Sequence, residues 1–256
     1  EKEQGLIPAR IISIQKETYR LISAYGENNG KLKGSLFYLD NELKTYPAVG
    51  DFVLIKSNPQ GEDVIFRVLK RQSVFSRANP SAPVKISGAS AQVVAANFDY
   101  VFLMTSLNQD FNPRRLERYL TAAWQSGGTP VIILTKADLC KDYEDKVTQS
   151  ELIAPGVAVH AISCINSLGL EALTPYLRKG KTLVLMGSSG IGKSSLVNIL
   201  AGKEIMKVNT IREDDSKGHH TTTYRQLITL ESGAMIIDTP GMRELGIWSA
   251  DEGVSE

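Results

Sequence analysis

Cysteine is scarce in this chain. Cys140 and Cys164 are the only two among 256 residues, and they lie far apart. That excludes a disulfide framework and fits a reducing cytoplasm. The same scarcity excludes a four-ligand Cys/His zinc site within these residues. Long apolar runs are missing as well. None approaches the ~20 residues of a membrane span, and the opening EKEQGLIPAR is no signal peptide, so no membrane partner is expected. Net charge is almost absent: 29 Lys and Arg against 28 Asp and Glu leave +1. Any nucleic-acid surface must therefore be local. What remains is an ordinary globular composition, long enough for about two domains.

Residues 1–77 read as short strands, at 6–14, 18–24, 34–39, 51–57 and 63–70, with no useful helical pattern. Turn clusters are expected at Gly26-Glu27-Asn28-Asn29-Gly30, at Gly50-Asp51 and at Asn58-Pro59-Gln60-Gly61. Five such strands suggest a small closed barrel, of which the OB-fold is the commonest form. OB-folds often bind single-stranded nucleic acid. Lys16, Arg20, Lys31, Lys33, Lys44, Lys56, Arg67, Lys70 and Arg71 supply cations for this, and Tyr19, Tyr25, Phe37 and Tyr38 supply aromatics. A plain barrel with a solvated charged surface is the alternative. Residues 71–97 look like a linker with little regular pattern. Asn79-Pro80-Ser81-Ala82-Pro83 forbids a helix there, and 78–90 is taken as the linker proper.

From residue 91 to 249 strands and helices alternate, which argues for a mostly parallel sheet with helices on both faces. Strands are expected at 100–105, 131–134, 157–162, 182–186, 226–231 and 234–237. Helices are expected at 113–125, 141–151, 169–177 and after residue 192. Asn112 is a good N-cap before Pro113, and Gly127-Gly128 stops that helix.

The densest information lies after the 182–186 strand. Gly187, Ser188, Ser189, Gly190, Ile191, Gly192, Lys193 and Ser194 match G-x-x-x-x-G-K-[ST], followed by Ser195 and an apolar helix. The glycines let consecutive N–H groups curl toward phosphate oxygens, and the helix start adds its positive end. Lys193 would reach the β- and γ-phosphates, and Ser194 would bind Mg²⁺. An accidental glycine turn would not bring this strand-and-helix context.

Three further motifs fall at strand ends. Asp238-Thr239-Pro240-Gly241 would hold Mg²⁺ through Asp238 and sense the γ-phosphate through the Gly241 N–H. One hydroxyl of Thr221, Thr222 and Thr223 would close on the metal, Thr223 being the one assigned. Thr135, Lys136 and Asp138 fit [NT]-K-x-D, whose carboxylate accepts two hydrogen bonds from a guanine edge, so GTP is favoured over ATP. Ser163 and Cys164 would complete the base pocket. The nucleotide set thus runs from Thr135 to Ser195, the metal set is Ser194, Thr223 and Asp238, and the catalytic set is Lys193, Thr223, Asp238, Gly241 and His220.

In an ordinary GTPase the glycine loop comes first and the base-reading pair last. Here the base-reading pair comes first, which is a circular permutation of the same sheet. The stretches VGDFVLI, VAANFDYVFLMTSLNQDFNPRRLERYL, LTKADL, MGSSGIGKSSLVNIL, GHHTTTYRQL and DTPGMRELGIW cover most of the chain. Together they resemble the ribosome small subunit-dependent GTPase A family (RsgA, also called YjeQ or YloQ). The resemblance implies an OB-fold, a circularly permuted GTPase domain and a cytoplasmic role; a monomer using GTP and Mg²⁺ is expected. It also implies late maturation of the small ribosomal subunit, contact with its rRNA, and hydrolysis stimulated by that subunit. It implies a C-terminal zinc module as well. Residues 250–256 would be only its truncated beginning, so Zn²⁺ is assigned to no residue here. Two positions depart from common patterns. His219 stands where the family usually has Arg, so His220 is the matching histidine. Met242 follows Gly241 where Ras-like proteins place a water-orienting Gln, so slow intrinsic hydrolysis is expected. The rival readings are a P-loop ATPase or small-molecule kinase, and an RNA-binding regulator that holds GTP without turnover.

Overall fold

The computed structural model describes residues 5–15, 18–34, 46–78, 91–108, 111–206 and 225–238. It begins with five strands: β1 (Ile7–Gln15), β2 (Thr18–Ser23), β3 (Gly26–Leu32), β4 (Phe52–Lys56) and β5 (Asp63–Val68). They pair in the order β1-β2-β3-β5-β4, and β4 returns to β1, which closes a barrel. Only β3 and β5 run parallel. Alternate side chains point inward, so Ala9, Ile11, Tyr19, Leu21, Val53, Ile55 and Ile65 form a core of their own. This is the expected OB-type barrel.

The strand positions need one correction. Residues 26–30, read as a turn, are strand β3, and the turn is confined to Ala24 and Tyr25 ahead of Gly26 at φ +99°. Backbone pairing on both edges carries this polar segment, and its side chains do little of the work. Asn28 is used instead to tie β3 sideways, donating to the Gly61 carbonyl (3.1 Å) and to Asp63 (3.1 Å). Gly34 lies beyond the end of β3, and the rest of the strand expected at 34–39 falls outside the described residues. Tyr19, counted above as an RNA-facing aromatic, is buried in the barrel core.

The presumed linker also holds structure. β6 (Val74–Ala78) pairs antiparallel with β7 (Ala91–Ala96). Phe75 stacks on Phe98 with ring centroids 4.9 Å apart. These strands are short, with β-branched residues only at Val74, Val93 and Val94, too few to stand out locally.

The remaining elements alternate: β8 (Tyr100–Ser106), α1 (Pro113–Ser126), β9 (Thr129–Thr135), α2 (Tyr143–Ile153), β10 (Ala158–Ala161), a 3-10 turn (Leu170–Tyr176), β11 (Thr182–Met186), α3 (Lys193–Ala201), β12 (Gln226–Thr229) and β13 (Met235–Asp238). The order across the sheet is β10-β9-β8-β11-β13-β12, parallel except for β12. Both faces are covered, and the two-residue period of each strand divides the core accordingly. Val101, Leu103, Ile132, Leu134 and Val184 pack with Leu116, Leu120 and Ala123 of α1. Phe102, Met104, Val131, Ile133, Leu183 and Leu185 pack with Leu196, Val197 and Ala201 of α3. The capping of α1 is as expected: Asn112 accepts the Arg115 N–H, and Gly127 ends the helix at φ +83°.

Barrel and parallel sheet join at one buried knot. Ser13 of β1 pairs with Gln226 of β12, so hydrogen bonding runs unbroken across eleven strands. Gly50 takes φ +91°, and a Cβ there would collide with the Ala96 carbonyl and meet Ile237 at 2.8 Å. Asp51, fully buried, accepts Arg71 at 2.6 Å and the Ala48 N–H at 2.7 Å. Arg71 is thus committed to an ion pair and is not a free surface cation. The Arg10 guanidinium donates to the Gly50 carbonyl (3.2 Å) and to the Asn97 carbonyl (2.8 Å). Burial lowers its pKa to about 10, against the raising pull of Asp99 and Asp51. Asp51→Ala strips the acceptor from a buried cation and from a buried N–H. The expected cost is about 3 kcal/mol, read as a lower urea midpoint, and an unchanged midpoint would show that the knot does not hold the two halves together.

Candidate functional site

Five parallel strands end on the same side of the sheet, at Ser106, Thr135, Ala161, Met186 and Asp238. Ligands of such sheets sit outside those carboxyl ends. The loop after β11 is shaped by its glycines. Gly187 (φ +154°) has no room for a Cβ, which would run into Ile191 and the Met104 carbonyl. Gly190 and Gly192 also have positive φ, with open space around them. Ile191 is 2% exposed and anchors the loop in the α3 side of the core. The ammonium of Lys193 reaches back over the loop and donates to the Gly187 carbonyl (2.6 Å) and the Ser188 carbonyl. Ser194 and Ser195 stand half-buried in the first turn of α3. A phosphate entering this cradle would meet backbone N–H groups, a helix start and one cation.

The loops after β9 and β10 are tied to this cradle. Thr135 is 2% exposed, and its hydroxyl donates to the Ile191 carbonyl at 2.7 Å, with the Thr105 carbonyl at 3.3 Å. Thr135 therefore joins two loops and does not face a ligand directly. Lys136 turns the chain in a left-handed conformation (φ 60°) and leaves Asp138 exposed. The Ala137 N–H donates to the Ile162 carbonyl at 3.1 Å, which sets this loop beside Ser163 and Cys164. Ser163 is buried, and its hydroxyl accepts the Ile165 N–H (3.2 Å). The Cys164 thiol is pushed up, first by burial and then by the negative charge of Asp138, which lies within electrostatic reach.

Asp238 ends β13, one strand away from the glycine loop. Its carboxylate and the Ser194 hydroxyl are both oxygen donors, the kind that suits Mg²⁺. Among the described residues no cluster of three or more His, Cys, Asp or Glu side chains could hold a metal. Thr223, Gly241 and His220 lie outside the described residues, as do Thr221, Thr222, His219 and Met242. One residue missed in the sequence is Asn198 of α3. Its amide donates to the Met206 carbonyl (2.7 Å) and accepts the N–H groups of Ile205 (3.0 Å) and Met206 (2.8 Å). It fixes the chain just before residue 207, and a polar residue in an amphipathic helix gave no signal for that role.

Two outcomes test this geometry. Thr135→Val should leave the Ile191 carbonyl without its donor and weaken triphosphate affinity by about tenfold, measured by fluorescent-nucleotide titration, with circular dichroism unchanged. Asp138→Asn removes the charge that helps keep the Cys164 thiol protonated. Iodoacetamide labelling of Cys164 near pH 8 should then run roughly threefold faster, and an equal rate would separate the two side chains.

Comparison with known proteins follows the same lines. Residues 68–248 match the family model described as RsgA GTPase. "Small ribosomal subunit biogenesis GTPase RsgA 2" of Lactiplantibacillus plantarum is 45% identical over 250 residues, covering 98% of this chain and 69% of that protein. The protein of the same name from Listeria monocytogenes serotype 4b is 48% identical over 238 residues, covering 93% and 65%. The chain thus spans about two thirds of the length of these relatives. The crystal structure of YjeQ from Thermotoga maritima superposes with a TM-score of 0.70 at 26% identity, covering 94% of this chain and 76% of that one. YloQ, a circularly permuted GTPase, shares the fold with a TM-score of 0.64 at 22% identity, covering 96% and 75%. The fold found here matches these two solved structures, and the chain belongs to the RsgA GTPase family.

Proposed function

We propose that this chain binds GTP with Mg²⁺, hydrolyses it to GDP and phosphate, and acts in late maturation of the small ribosomal subunit, which stimulates the hydrolysis. The observation that carries this reading is the hydrogen bond from Thr135 to Ile191, which joins a guanine-type loop to a phosphate-type loop. In this proposal Gly187 to Ser195 enclose the phosphates, and Lys193 turns its ammonium from the loop carbonyls to the β- and γ-phosphates. Asp138 accepts from the guanine edge beside Cys164, with Lys136 and Ser163 shaping the pocket. Ser194, Asp238 and Thr223 would hold the Mg²⁺, which would neutralise charge between the phosphates. The Gly241 N–H would sense the γ-phosphate, and His220 is the candidate that positions water. Residues 1–77 form the proposed RNA-binding part, 78–90 the connection and 91–249 the GTPase part. The exposed Lys33, over the Phe66 ring at 4.4 Å, supports an RNA-facing barrel. Two free, half-buried thiols suit a reducing cytoplasm. Zinc enters only as part of a Cys/His module outside these residues.

Multiple-turnover phosphate release tests the proposal, with GTP or ATP and with or without purified small ribosomal subunits. GTP-specific stimulation by the subunit is expected. Lys193→Ala should lower GTP affinity at least about tenfold, and Asp138→Asn should erode the preference for GTP over ATP. Equal turnover of both nucleotides, or no response to the subunit, would overturn it.

A further inference from the structure

Helix α1 has an outward face that the nucleotide site does not use. Its inward stripe, Leu116, Leu120 and Ala123, is buried against β8 and β9. The outward positions carry Arg114, Arg118, Thr121 and Gln125 at helical spacing, with Trp124 alongside, and all five are exposed. Trp124 is 58% exposed, a large apolar ring held in solvent at the end of a well-capped helix. Neither Arg114 nor Arg118 has a carboxylate within ion-pair distance among the described residues. The helix has three arginines and one acid, Glu117, so its charge is positive in a chain that is otherwise nearly neutral. Arg114 and Trp124 stand about 15 Å apart along the axis.

The same helix end touches the strap that leaves the barrel. A Cβ on Gly127, which caps α1, would lie 2.9 Å from the Gln72 carbonyl. Lys70, exposed, is two positions before Gln72. Lys70 of the barrel edge and the Trp124 end of α1 thus lie near one junction, with Arg118 and Arg114 farther up the helix. Cations that track a phosphate backbone, with an exposed ring on which a base can stack, are the chemistry of single-stranded nucleic-acid recognition. Duplex RNA hides its bases from such a ring.

We infer that the outer face of α1 is an RNA contact of the GTPase part, in which Arg114 and Arg118 engage phosphates and Trp124 stacks on an unpaired base. This rests on the proposed RNA partner, and it adds a contact separate from the barrel. None of the three side chains supports the fold or the nucleotide site. Substitutions there should leave intrinsic GTP hydrolysis and the thermal midpoint at wild-type values.

The test uses the full chain and two probes: a fluorescein-labelled single-stranded oligouridylate, followed by anisotropy, and purified small ribosomal subunits, followed by sedimentation. The double variant Arg114→Glu/Arg118→Glu should weaken oligouridylate binding and lower the slope of log affinity against log salt by about two. Trp124→Ala should weaken binding about tenfold, and Trp124→Phe should restore most of it. The same variants should bind subunits more weakly. Wild-type affinity of the double variant and of Trp124→Ala for both probes would overturn the inference while leaving the subunit-dependent GTPase reading intact. Loss of oligouridylate binding in these variants, when the wild-type chain ignores subunits, would support the α1 contact and sink the subunit reading. Weakened subunit binding with unchanged oligouridylate binding would assign the face to a protein surface and overturn an RNA contact, as would a wild-type chain that binds neither probe.

Discussion

One buried hydrogen bond sets the geometry on which the site depends. The Thr135 hydroxyl donates to the Ile191 carbonyl, linking the end of β9 to the middle of the glycine loop. A hydrogen bond of this kind contributes about 1 kcal/mol net, but an orphaned buried carbonyl costs more, so the two loops are held in one relation. The Ile191 side chain is sunk into the core under α3 at the same point, and its backbone oxygen has no water to turn to. The proposed phosphate and base loops are therefore positioned together, although 56 residues separate the bonded pair.

The second constraint is the knot around Gly50 and Asp51. A barrel of five strands and a sheet of six have no need to share hydrogen bonds, yet β1 pairs with β12 across them. Close approach is possible because Gly50 has no side chain to collide with Ala96 and Ile237. Ile237 is the neighbour of Asp238, so the knot sits one residue from the proposed metal ligand. A buried Asp51–Arg71 pair at such a point is a weak source of stability, since desolvation offsets much of the attraction. It is a strong source of register, because only one placement of Asp51 satisfies Arg71, the Ala48 N–H and Asn97 together.

Much of the fold could be read from the sequence, for reasons that differ by region. In the parallel sheet, fully apolar strands such as 182–186 and explicit caps such as Asn112, Pro113 and Gly127 leave little choice. The glycine loop was equally plain, since Gly187, Gly190 and Gly192 all take the backbone forms that favour glycine. The barrel was harder. Residues 26–30 look like a turn because every side chain is polar or absent, yet β3 is held by backbone bonds to two neighbours, a long-range fact that local composition does not carry. β6 and β7 were hidden for another reason: they are short, and their pairing is with each other across the residues between them. At the site the residue types were legible but not their directions. Thr135 fits a base-reading motif, while its hydroxyl turns inward to Ile191. Tyr19 and Arg71 look like surface residues until the barrel closes over one and Asp51 pairs with the other.

The strand that bears no motif turns out to matter most for the permuted order. β8 lies between β9 and β11, and both site loops rest on its end. Its Met104 carbonyl closes the space above Gly187, and its Thr105 carbonyl takes the second contact of Thr135. In the permuted chain β8 is the first strand of the parallel sheet, entered directly from β7 through Asn97 and Phe98. Asn97 belongs to the Gly50 knot, and Phe98 is stacked on Phe75. The covalent route from the barrel to the floor of the site is then only a few residues long. The unpermuted order would carry the chain first to the glycine loop and bring β8 in late. Entering the sheet at β8 ties the barrel to the support of both loops at once, and a load on the barrel would reach the proposed phosphate and base loops through the same strand.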